Sequence, residues 1–412
     1  MKTFKASVLA TVVVVSVLML LFVSGIFSLK MYYGRPVREW VAEQQERMWL
    51  DSGFLLYCRD TSVVLTDTSG YVLFPPDERS RIRVEVLPWG LYEVVTVSLA
   101  SGRASVRWVG KKRLYNRNVQ LYVSDKGAVF CLAGRTVIRG KVAVPKAGIN
   151  YTSVNSEFFT GEILADSAVC RSGTGLPEIL EGLRKQAGEY GRLREPLSIP
   201  CDGFAGLKRS FREETLTVVC EERVSGNYAG RLVLYSRFPL YIGPECRLSR
   251  VLVAAPSVMV GKGFRGSLQI FARDTVVLDE QVELEYPSGV FLSAENPARR
   301  VEIRDSAVLN GYVVVDGDGA ENRPPVLHYR QVPTAKVRGL VYVDGIAQVQ
   351  GEVAGALFLR ESYYFSPAGY YADILYGVDL SESKDMIWPF WLAGDTEKEV
   401  IGWLEYLNSA AL

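Results

Sequence analysis

The chain has 412 residues, 48% hydrophobic and 23% charged, with 47 basic against 46 acidic side chains. That length accommodates two or three domains, and the balanced charge supplies no basic footprint for nucleic acid. A single histidine, His328, excludes sites built on several His ligands and leaves Ser-His-Asp or Cys-His chemistry nowhere else to run; between Leu327 and Tyr329 it reads as a core or surface filler.

Residues 6–29, "ASVLATVVVVSVLMLLFVSGIFSL", carry no charge. As a helix they span about 36 Å, enough for a bilayer core. Lys2 and Lys5 precede the run and Lys30, Arg35 and Arg38 follow it, so flanking charge alone does not orient it. The run exceeds a signal-peptide core, and its small residues Val23 and Gly25 lie inside it. A retained single-pass anchor is expected, with residues 1–5 as a cytoplasmic tail. An amphipathic helix over 30–58 should follow. Val41, Met48, Leu55 and Cys58 form its apolar stripe, while Glu43, Glu46 and Arg47 lie elsewhere on the wheel. Pro36 either sits inside one continuous helix or starts a second.

Residues 59–130 predict an antiparallel meander. Ile82, Val84 and Val86 alternate with charged residues. Val95, Val97 and Leu99 make an apolar face opposite the more polar Val94, Thr96 and Ser98, so this strand should be half-buried. "PWG" and "SGRA" supply the turns. A membrane helix that turns amphipathic and enters a meander resembles the layout of type IV pilins and minor pseudopilins. That resemblance implies a subunit of a secretion or pilus-like machine. The chain departs from the family in having Lys5-Ala6-Ser7 near its start and no acidic residue before Glu39.

The remainder repeats one figure: apolar, x, Gly, x, apolar, x, apolar. It occurs as "IRGKVAV" (138–144), "FTGEILA" (159–165), "YAGRLVL" (228–234), "FRGSLQI" (264–270), "LNGYVVV" (309–315) and "VRGLVYV" (337–343), and truncated as "VQGEVAG" (349–355). In a strand the apolar residues share one face, with Gly on that face permitting a bend or a close backbone approach. Single copies bury little, so they should stack. We expect a right-handed parallel β-helix, with first coils over 131–174 and a body over 201–385. Val142, Val144, Leu268, Ile270, Val313, Val315, Val341 and Val343 would form its inward stripe. Outward neighbours such as Ser267 and Leu340 would tolerate change. An antiparallel sandwich is the rival. The stretch 248–292 is the most specific part of a resemblance to uncharacterised envelope β-helix proteins of Bacteroidota, which implies a fold and no reaction.

A helical insertion is expected over 175–200, with Leu176, Ile179, Leu180 and Leu183 as its stripe and Pro177 near its start. "DGDGAENRPP" (316–325) reads as a solvated turn; Asp316 and Asp318 lack the further ligands of a calcium loop. In the tail (386–412), Val400, Ile401, Leu404 and Leu407 predict a helix. Trp388, Phe390 and Trp391 close the last coil or dock a partner.

Cys58, Cys131, Cys170, Cys201, Cys220 and Cys246 show no CxxC spacing; one or two disulfides are compatible with an exported body. Ser167, Thr275 and Ser306, each after Asp and before an apolar residue, resemble O-glycan acceptors of Bacteroidota, though Asp-Ser and Asp-Thr are also ordinary turn pairs. Asp279, Glu280, Glu283, Glu285, Arg299 and Arg300 do not separate from a solvated strand face. No catalytic, cofactor or metal site is therefore assigned. The expected protein is non-enzymatic and single-pass in an inner membrane, periplasmic in bulk, and partnered by that membrane and other envelope or pseudopilin-like subunits. The alternative is a glycan-binding or glycan-cleaving β-helix.

Overall fold

The computed structural model describes residues 5–59, 70–112, 119–190, 198–201, 206–317, 326–367, 369–383, 386–392 and 398–407. It is mainly β. The chain gathers into two compact units, one holding residues up to 85 with 96–105 and 405 onward, the other holding 86–95 and 106–404.

In the first unit, helix α1 (Lys5–Arg59) runs unbroken through Pro36. Its first part is long and apolar enough to cross a membrane, and Val8 to Leu29 carry their apolar side chains exposed. Further on, Trp49, Leu50, Phe54 and Tyr57 are buried. This corrects the expected stripe: Val41, Met48 and Leu55 are exposed. The aromatic face wins because Trp, Phe and Tyr bury more area than the aliphatic set. Gly53 sits on the same face, where a Cβ would come within 2.8 Å of Val97 Cγ1. Arg103 fixes the upper turn through Glu46 at 2.9 Å.

A five-stranded sheet follows the order Tyr71–Val72, Arg81–Trp89, Tyr92–Leu99, Ala104–Lys111, Lys398–Leu407. Val94 and Thr96 are buried as well as Val95 and Val97, so the strand 92–99 is covered on both faces rather than half-buried. The tail helix is also corrected: residues 398–407 are a strand. β-branched and aromatic residues favour that state, and Gly402 disfavours a helix.

The second unit is built on a long parallel-strand sheet. Its main ladder runs Ser198–Pro200, Leu216–Val219, Leu232–Tyr235, Arg247–Ala254, Arg265–Ala272, Glu283–Leu292, Val308–Val315, Lys336–Gln348 and Gly351–Ser366, each strand parallel to the next. The order then jumps backwards in sequence, to Val119–Val123, Lys141–Val144 and Val169–Arg171. Strands before residue 175 thus stack beyond strand 351–366, and they begin at 119 rather than 131. A second parallel ladder links Leu240–Ile242, Ser257–Val260, Thr275–Leu278, Arg300–Ile303 and Leu327–Gln331. Parallel pairing throughout both ladders removes the antiparallel sandwich.

All eight residues of the predicted inward stripe lie in one buried apolar cluster. The glycine repeat is partly realised. Gly311, Gly339 and Gly355 are ladder partners, with φ of 145°, 140° and 152°. A Cβ on Gly339 would lie 1.8 Å from Gly311 O, so it would strike the neighbouring strand rather than face the core. The last copy is out of register by four residues: Val353-Ala354-Gly355, not Val349-Gln350-Gly351, pairs with Val337-Arg338-Gly339. "FTGEILA" forms no strand after Phe158.

The predicted insertion is a return strap. Its helix, α2, spans Glu181–Tyr190 only; residues 191–197 lie outside the described part. Tyr122 OH donates to Gly175 O at 3.0 Å, Tyr342 OH donates to Pro177 O at 3.4 Å, and Leu180 N–H donates to Trp391 O at 2.9 Å. Arg184 then pairs with Asp316 at 2.8 Å and Tyr190 meets Phe271 at 4.6 Å. These contacts retrace the ladder from strand 119–123 to strand 265–272, leading the chain back to its opening strand. Leu176, Ile179 and Leu183 pack on a second apolar cluster, on the outward side of the ladder, that includes Phe271, Phe291 and Tyr342.

Candidate functional site

Strand register sets one column of outward residues: Tyr235, Ala254, Phe271, Phe291, Val314, Tyr342, Phe358 and Tyr122. Large aromatic faces here need cover, and three segments supply it. The strap covers one part. Residues 388–392 cover another: Trp391 is fully buried against Phe291 at 5.2 Å and Tyr342 at 6.3 Å. Phe390 is also buried and Trp388 half-buried. This corrects the docking assignment of Trp388, Phe390 and Trp391, because the chain itself takes up these rings.

The third cover is the Trp89-Gly90-Leu91 turn, fixed by Gln269. Gln269 Oε1 accepts from Leu91 N–H at 3.0 Å and from Tyr312 OH at 2.6 Å, while its Nε2 donates to Trp89 O at 3.1 Å. Gly90 N–H donates to Tyr190 OH at 3.1 Å and Trp89 Nε1 to Arg250 O at 3.1 Å. A Cβ at Gly90 (φ 64°) would overlap the Gln269 amide.

Beside the strap the column stays open as a groove of about 410 Å³. Tyr235, half-buried, supplies its aromatic wall, the buried Phe271 and Phe291 lie at its floor, and Arg237, Arg273 and Glu295 form its rim. Arg237 is exposed, and Ser293 Oγ is buried with no hydrogen-bond partner. The Tyr235 ring beside a guanidinium rim suits a ligand with an apolar ring face and an anionic group. For hydrolysis the rim offers Glu295 alone, where glycosidases pair two carboxyl groups about 5–9.5 Å apart. The sequence signal was present but unread: aromatic-x-Arg follows the strand in "YSR" (235–237) and again in "FAR" (271–273).

Other titratable groups are committed elsewhere. Glu280 pairs with Lys262 at 2.6 Å, Glu283 with Arg265 at 3.2 Å, Asp279 with Arg304 at 3.2 Å, and Arg300 with Glu302 at 3.4 Å. Glu285 is exposed. Arg299 is buried and donates to Asp344 O at 3.2 Å; Asp344 pairs with Arg360. Asp316 is corrected from a solvated turn: it is buried, and burial pushes its carboxyl up despite Arg184. Asp318 lies outside the described residues. His328 is fully buried; its Nδ1 accepts from Ile346 N–H at 3.1 Å, and its Nε2 lies 3.2 Å from Pro297 O. Burial, then the charge of Arg299, lowers its pKa. Ser167 is exposed in a short 3-10 helix (Asp166–Ala168), Ser306 is exposed on a turn, and Thr275 opens its strand half-buried. No group of three or more His, Cys, Asp or Glu among the described residues is arranged to hold a metal ion.

Comparison with known protein families, curated proteins and solved structures gives no match.

Proposed function

We propose that this chain is a non-enzymatic, single-pass inner-membrane protein, periplasmic in bulk, that serves as an assembly or tip subunit of a pseudopilin-like machine. In this reading the parallel ladders are turns of a right-handed β-helix carried behind a pilin-like helix and meander. The observation that carries it is the second face of α1. Val41, Met48 and Leu55 recur every seven residues beyond the apolar run and are exposed, with Val37 and Trp40 beside them. Seven-residue apolar spacing is what a packed neighbouring helix needs. The proposed partner is therefore another helix of the same kind.

A photo-crosslinking residue at Met48 tests this in membranes. Adducts to another envelope subunit's helix are expected from position 48 and not from the buried position 54. Adducts to lipid alone, or none, would remove the assembly role. Fractionation bears on the anchor: deletion of residues 6–29 should release the protein from carbonate-washed membranes.

A second reading is favoured by the groove at Tyr235, Phe271 and Phe291, which suits binding of an acidic glycan. Calorimetry against acidic and neutral oligosaccharides separates the two readings. Saturable binding lost in Arg237→Ala would establish it, and release of sugar ends would make the protein an enzyme.

A further inference from the structure

We infer that Cys201 and Cys220 are a disulfide-forming pair that ties the opening strand of the main ladder to the next, leaving Cys246 as a buried thiol. The inference rests on the periplasmic reading for where the bond forms, and on strand register for which cysteines form it. Pro200 and Val219 are ladder partners in strands 198–200 and 216–219, and the cysteines are the next residue on each. The ladder continues through both: Cys201 N–H donates to Val219 O at 2.8 Å and Cys220 N–H to Tyr235 O at 2.7 Å. Neighbouring parallel strands stand about 4.8 Å apart, inside the roughly 4.4–6.8 Å window of Cα separations that disulfides use. Both side chains are buried in the same apolar cluster.

The third cysteine of that cluster is occupied. Cys246 Sγ donates to Val224 O at 3.1 Å, closer than the 3.9 Å from Cys220 Sγ to Val218 O or the 3.8 Å from Cys201 Sγ to Ser225 O, and burial raises its thiol. Cys201 has a polar surround in Tyr228 OH at 3.4 Å and Ser225 Oγ at 3.8 Å. Burial would raise the Cys201 thiol, but hydrogen bonds from Tyr228, Ser225 and Cys220 together leave it below its ordinary value. A lowered thiol supplies the thiolate that attacks. The three-residue strand 198–200 is also where a covalent tie is most useful, because it opens the ladder.

The step balances as thiol–disulfide exchange with a disulfide oxidant, protein or small-molecule. The Cys201 thiolate attacks one oxidant sulfur and expels the other as a thiolate. Cys220, deprotonated, then displaces the oxidant from the mixed disulfide. The Cys201–Cys220 S–S bond forms, the oxidant's breaks, and two electrons pass to the oxidant, which leaves as two thiols.

The test uses full-length protein from membranes, denatured without reductant, alkylated with N-ethylmaleimide and digested. One linked peptide pair containing Cys201 and Cys220 is expected, with four thiols alkylated. A parallel sample of reduced folded protein is equilibrated with glutathione disulfide. Linkage there but not in cells supports the pair and counts against the periplasmic reading. Cys246→Ser should keep the linkage and Cys220→Ser abolish it. Six alkylated thiols in both samples, or a linkage through Cys246 in place of Cys220, would overturn the inference.

Discussion

At Gly339 the carbonyl of the neighbouring strand stands where a side chain would begin, and φ is positive as well. Gly339→Val should therefore cost about 2–5 kcal/mol from overpacking and backbone strain together. The informative control is Arg338→Val, one residue away on an exposed face, which should stay within about 0.5 kcal/mol. Equal shifts in denaturant midpoint would refute the close approach. Leu340 and Ser267 are no such controls: alternation turns them away from the stripe, yet both are buried. His328 makes a second case. It is the chain's one histidine, and burial and the charge of Arg299 favour its neutral ring against the opposing pull of Asp344 and Glu361. Its folded pKa is depressed, so below about pH 6.5 the unfolded chain takes up the proton first. Stability present above that pH should fall on acidification, with a slope of up to about 1.4 kcal/mol per pH unit. His328→Gln should remove that component, and an unchanged profile in the variant would show that the ring titrates freely. The core stripe was legible because it needs only alternation. The outward burial was not, since it depends on which distant segment arrives to cover it.

An element's cover decides its energetics here. Gln269 holds the 89–91 turn through two hydrogen bonds and accepts a third from Tyr312, and no local pattern marks it in the sequence. Gln269→Leu keeps the volume but strands Leu91 N–H, Trp89 O and Tyr312 OH, at about 1–3 kcal/mol for each buried group left unmade. A loss above roughly 3 kcal/mol in chemical denaturation is expected; a loss below 1 kcal/mol would mean that water replaces the amide. Trp391→Ala should cost about 3–5 kcal/mol, as for other fully buried aromatics. An unchanged midpoint would restore the view of residues 388–391 as a free docking patch. Helix periodicity misled in two places for one reason. Val41-Met48-Leu55 and Val400-Ile401-Leu404-Leu407 both carry helical spacing, yet spacing does not say which face is covered or whether a sheet edge takes the segment first. On α1 the covered face is aromatic, and at the tail a strand position beside 104–111 was available.

Across the whole molecule, order in space departs from order in sequence. Leu121 pairs with Leu357, and Val142 with Leu121. Emergence from the ribosome is slow beside strand formation, at about 5–20 residues per second. Residues 119–144 must therefore wait roughly 10–50 s for their platform to be made. During that interval their backbone edges are open to wrong partners, a known hazard of unpaired strands. Chains arrested before residue 351 should show 119–171 as readily cut by protease, and chains arrested beyond 381 should show it protected. Protection in the shorter chains would mean that these strands find shelter earlier than their ladder position allows. For this protein the first strands of the parallel ladder to be synthesised are among the last to be seated, so their shelter is decided by a segment made more than two hundred residues later.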